Sequence, residues 1–130
     1  MAQTIELADG VYRIATDNYR LNTGLILGLE AALVIDTGAG PRQGTEIYDE
    51  VRRLTRLPIT VVNTHAHYER FFGNDVFAAM GVEEFWAHPR AARAIRKYGE
   101  AQRPYVETLE PEMAHHQGAA TNIVVPNRLV

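Results

Sequence analysis

Residues 59–63 of this chain read Ile, Thr, Val, Val, Asn, and a polar, His-rich loop follows at once. A run that is apolar on both sides of a pleat suits a strand buried on both faces. Such a strand needs layers packed above and below it, which restricts the chain to architectures with a covered sheet. With 46% apolar and 22% charged residues, the chain has enough apolar content to build that cover.

The surrounding pattern supplies the other elements. Residues 11–14, 21–27 and 32–35 read as strands, separated by turn residues at Asp17 and Asn18 and at 28–31. Asp36, Thr37, Gly38, Ala39, Gly40 and Pro41 stop the third run. Ile47, Val51 and Leu54 then mark one helical stripe, closed by Pro58. After the His-rich loop the spacing predicts a short helix over 74–80, ended by Gly81, and a strand over 84–87. His88 and Pro89 open another helix, regular over 90–98. Gly99, Pro104 and Pro111 are expected to break it over 100–116, before a last strand at 122–126. This is an α/β (α+β) order with an antiparallel meander at the front, expected as a single domain over 1–130. The sequence contains no internal repeat.

Charge and composition narrow the partners. A net charge of −3 and a pI of about 5.9 offer no basic surface for nucleic acid or an anionic membrane. With no cysteine, any bound metal must be held by His, carboxylate or water. The start lacks a basic n-region and an apolar h-region, and no apolar run approaches the ~20 residues of a membrane span. The expected location is the cytoplasm.

The chemistry concentrates in the loop. His65 and His67 are separated by one residue, so on extended backbone both rings point the same way and can share a borderline ion such as zinc. Glu69 repeats the spacing and offers a carboxylate oxygen. A loop at the C-terminal end of a buried strand is also where α/β proteins usually place ligands.

Thr64, His65, Ala66, His67, Tyr68, Glu69 and Arg70, with Gly73 and Asn74 just after, resemble the T-H-x-H-x-D-H…GN loop of the metallo-β-lactamase superfamily. Leu33, Val34, Ile35, Asp36, Thr37 and Gly38 are similar to that family's LIDTG strand end, and Ala87, His88 and Pro89 resemble its AHP helix start. The resemblance implies the N-terminal half of an αββα sandwich, a mixed sheet with flanking helices. It also implies a metal-dependent hydrolase acting on a small molecule, with His65, His67 and Glu69 as metal ligands and Glu69 as the catalytic group. Glu69 stands where the family has Asp, and Arg70 where it has His. Arginine stays protonated and has no lone pair to give, so the expectation is zinc at one ion or none, with the second site lost.

Other residues carry plainer expectations. Asp36 is either a turn carboxylate or a brace behind the metal loop, and the two readings are compatible. His88 reads as a residue of a helix start, and the adjacent His115 and His116 as a solvated helix end. Tyr68, Phe71, Phe72, Phe77 and Trp86 read as core. Half a sandwich would leave one sheet face uncovered, with Leu33, Ile35, Val61 and Val125 on it, so a homodimer or a partner supplying the missing half is expected. The alternative function is a non-catalytic binding or oligomerisation module.

Overall fold

The structure is a computed structural model and describes residues 2–17, 21–109 and 121–130. Among the described residues, seven strands form one mixed sheet in sequence order. They are β1 (Gln3–Ala8), β2 (Val11–Ala15), β3 (Asn22–Leu27), β4 (Ala32–Ile35), β5 (Ile59–Val62), β6 (Phe85–Ala87) and β7 (Arg128–Leu129). Strands β1 to β4 form an antiparallel meander, and β4 to β7 pair in parallel. The helices are α1 (Pro41–Leu54), α2 (Tyr68–Phe71), α3 (Asn74–Ala79) and α4 (Pro89–Leu109). This is the expected α/β class.

Alternation along the strands decides which face is covered. Ile14, Leu25, Val34, Val61 and Phe85 point one way and are buried with Ile47 and Val51 of α1 and Phe77 of α3. The helical stripe read from Ile47 and Val51 is therefore the one that meets the sheet. Residues of opposite parity, including Ile26, Leu33, Ile35, Val62 and Trp86, are half-buried or exposed. Val61 belongs to the covered face and not to the open one, because it shares its parity with Ile59. The apolar character of β5 thus reflects one covered face and one open face.

Three further expectations are corrected. Helix α4 runs unbroken through Gly99 and Pro104. Packing overrides local preference there: Ile95 and Val106 are fully buried against Phe71 and Phe72. A Cβ at position 99 would lie 3.1 Å from Ile123 Cδ1, so glycine also permits a close approach. The last strand is Arg128–Leu129, while Ile123 and Val125 pack against the Phe71 and Phe72 cluster without pairing. Strand β1, whose residues are mostly exposed, gave no buried alternation to read and was not among the expected strands. The third correction is Trp86, half-buried on the open face, whereas Phe71, Phe72 and Phe77 are core as expected. His115 and His116 lie outside the described residues.

Candidate metal centre

The loop after β5 is built from the back forwards. Asn63, Asn74 and Thr37 are buried, and their side chains form one closed network. Asn74 Oδ1 accepts from Thr37 Oγ1 at 2.7 Å and from Asn63 Nδ2 at 3.1 Å, while Asn74 Nδ2 donates to Asn63 Oδ1 at 2.7 Å and to the Val124 carbonyl at 3.0 Å. The Arg70 carbonyl accepts from Thr37 N–H at 3.1 Å and from Asn63 Nδ2 at 2.9 Å. In front of this network Gly73 lies against the end of β4. A Cβ there would sit 1.9 Å from the Thr37 carbonyl oxygen, so no side chain fits. Phe71 and Phe72, stacked with ring centroids 4.8 Å apart, fix the loop's other flank.

Asp36 closes β4 with a positive φ of 68°, a conformation Asp tolerates better than most residues. Its carboxylate accepts from Thr64 N–H at 2.8 Å and from Thr64 Oγ1 at 2.7 Å. Both readings of Asp36 therefore hold. Burial pushes its carboxyl above the ordinary range, against the opposing pull of the Thr64 bonds, Arg70 and His65.

A hydroxyl has one proton. Because Thr64 gives its proton to Asp36, its oxygen must accept from His65 Nδ1, 2.9 Å away. His65 then carries its proton on Nδ1 and keeps the Nε2 lone pair for a ligand. His67 Nδ1 lies 3.0 Å from Glu69 Oε1, and an ionised carboxylate can only accept, so His67 is set the same way. The two rings are exposed, with centroids 5.3 Å apart.

Ligand atoms of His65, His67 and Glu69 lie within 4.8 Å of one another, and among the described residues no other such group forms. The structure thus brings together the three residues singled out by spacing. Glu69 Oε2 is buried and has no hydrogen-bond partner, a cost that a cation would relieve. Two neutral imidazoles and a carboxylate suit one zinc-like ion. Arg70 Nη1 stands 3.5 Å from Asp36 Oδ2, and its Nε stands 3.8 Å from Glu69 Oε1. The guanidinium fixes positive charge beside the group.

Other readings are also placed. His88 Nδ1 accepts from Arg90 N–H at 3.1 Å, a role at the start of α4. Sequence reasoning missed Gln102 of α4, whose Nε2 donates to the Ala66 carbonyl at 3.1 Å. Nothing in the spacing of residues 36 positions apart signals that contact. Among the described residues, no helix is long and apolar enough to cross a membrane.

Comparison with known proteins gives one family. The sequence profile described as the Metallo-beta-lactamase superfamily matches residues 19–121. A variant of the Cronobacter sakazakii metallo-beta-lactamase, mutated in its HARLDQ motif, superposes with a TM-score of 0.64 at 23% identity. That match covers 75% of this chain and 38% of that one. The Erythrobacter litoralis metallo-beta-lactamase gives 0.63 at 20% identity, covering 75% and 46%. A Pseudomonas aeruginosa metallo-beta-lactamase in its mono-zinc form gives 0.64 at 18% identity, also covering 75% and 46%. At these identities the likeness establishes the fold, and the chain spans less than half the length of each of these structures.

Proposed function

This chain belongs to the metallo-beta-lactamase superfamily, and from that premise we propose that it carries the first-metal half of a hydrolytic site, holding one zinc ion on His65, His67 and Glu69. The observation that carries the reading is the convergence of these three side chains, with His65 held from behind through Thr64, His67 held by Glu69 Oε1, and Glu69 Oε2 left without a partner. When bound, zinc supplies Lewis-acid polarisation of a carbonyl or phosphoryl oxygen and activates water near neutral pH. The chain's own part is to hold and orient. Asp36 and Thr64 fix the His65 ring, Glu69 Oε1 fixes His67, and the unpartnered Glu69 Oε2 would either hold the ion or take a proton from water, one role at a time. The substrate class is a small molecule with an amide, thioester or phosphodiester bond, since the fold does not choose among these. The Arg70 guanidinium, already placed between Asp36 and Glu69, opposes a second cation and limits the site to one.

Three donors and one water make the four that zinc takes, but both imidazoles stand exposed to solvent. That exposure supports a second reading, a binding or oligomerisation module without turnover. Elemental analysis of protein purified without chelator separates the two. About one equivalent of zinc, lost in His65→Ala, supports the metal site. Protein without zinc, unaffected by that change, supports the module.

The open sheet face bears on the same question. Ile5 and Ile26 are 46% and 40% exposed, and Leu33, Ile35, Val62 and Trp86 are half-buried around them. We propose that a second chain, a second copy first of all, covers this face. Sedimentation equilibrium is expected to show a dimer at micromolar concentration, and a stable monomer there would remove the proposal.

A further inference from the structure

One wall of the pocket beside the loop comes from far along the chain: Ala66, His67, Tyr68 and Glu69 face Gln102 of α4. Gln102 Nε2 donates to the Ala66 carbonyl at 3.1 Å, and among the described residues no other donor reaches that oxygen. The carbonyl belongs to the peptide that joins Ala66 to His67. Rotation of that peptide changes how the His65 and His67 rings face each other. The two rings stand at the exposed front of the loop, and neither sits in a strand ladder that would hold the peptide still.

Helix α4 is well placed to act as the anchor. Ile95 and Val106 lock it onto Phe71 and Phe72, and Ala66 itself packs against the same cluster. A Cβ at Gly99 would meet Phe71 Cε1 at 3.6 Å, an ordinary contact distance, so the helix backbone lies directly against that ring. Arg103, next to Gln102, lies over the Phe72 ring at 5.5 Å. The helix therefore meets the loop along one continuous face, and within it Gln102 is the residue that reaches the loop's main chain at Ala66.

We propose that Gln102 is a positioning residue for the His65 and His67 pair, its amide N–H clamping the Ala66 peptide so that both rings stay turned toward one point. The inference rests on the metal-site reading of the loop. The clamp acts before any ion arrives, so its loss weakens zinc binding by leaving the rings to be ordered by the ion itself.

The test uses Gln102→Met, which keeps length and helix preference and removes the donor, with Lys97→Met as an exposed control on the same helix. Zinc affinity is measured by chelator competition, and mobility of the His65 and His67 rings by carbon relaxation in zinc-free protein. Loss of one hydrogen bond is expected to weaken zinc binding roughly threefold to tenfold in Gln102→Met. The rings are expected to become more mobile, the melting temperature to stay put, and Lys97→Met to match the parent. Unchanged affinity and ring mobility in Gln102→Met, with zinc lost in His65→Ala, would overturn the clamp and leave the metal site standing. A large drop in melting temperature would assign Gln102 to packing and also overturn it. A parent protein that takes up no zinc removes the metal-site reading, and ring mobility in the zinc-free proteins then decides the clamp alone.

Discussion

The back and the front of the loop after β5 are built on different principles. At the back, Thr37, Asn63 and Asn74 are buried, and each polar side chain is satisfied by another or by a main-chain carbonyl. At the front, His65 and His67 are exposed, and Glu69 holds an oxygen with no partner. Buried satisfied networks specify shape, whereas exposed rings add little to folding and an orphaned buried oxygen works against it. The shape of the loop and its chemistry are therefore separable by substitution.

The strongest way to break the back is Gly73→Ala. The new methyl would meet the Thr37 carbonyl oxygen at 1.9 Å, so β4 and the loop must part. A loss of roughly 3 kcal/mol or more in urea unfolding is expected. Next comes Asn74→Ala, which strips partners from Thr37, Asn63 and the Val124 carbonyl at once. It is expected to cost about 2–3 kcal/mol by the same measurement. A value near zero for either variant would dissolve the contrast.

Asp36→Asn sharpens the contrast, because Asp36 serves both sides. An amide turns its N–H₂ toward Thr64 Oγ1, so Thr64 donates to His65 Nδ1 and the His65 proton moves to Nε2. Nitrogen NMR is expected to show the tautomer reversed and zinc affinity reduced at least about tenfold, by analogy with other carboxylate–histidine pairs. The same variant has a pH signature. Burial raises the folded Asp36 carboxyl, so the unfolded chain ionises first and stability falls as pH rises through that window. Unfolding midpoints at about pH 4 and about pH 7 are expected to differ less in Asp36→Asn than in the parent. The smallest folding effect belongs to the front: His67→Ala is expected to stay within about 0.5 kcal/mol while zinc is lost.

The front was legible in the sequence because its rule is local. Alternate residues on extended backbone share a side, which groups His65 with His67; Glu69 joins them from the first turn of α2, a placement that rule does not supply. The back was legible only as a pattern, since Gly73 and Asn74 could be quoted but not explained. Their reasons lie in Thr37 and Asn63, which three-dimensional proximity supplies. Pro104 misled because a helix-breaking preference was outweighed by the burial of Ile95 and Val106. Strand β1 escaped notice because an exposed edge strand needs no apolar alternation. The run at 122–126 looked like a strand, but its Ile123 and Val125 pack half-buried against the Phe71 and Phe72 cluster, while the real pairing fell to Arg128 and Leu129 beside β6.

Position 70 shows how such a loop can drift. Its share in the buried network is the main-chain carbonyl, which every amino acid owns, and its side chain points elsewhere. A lineage can rewrite that letter, and trade one charge for another at the mouth of the site, without spoiling the grammar that keeps the loop in place.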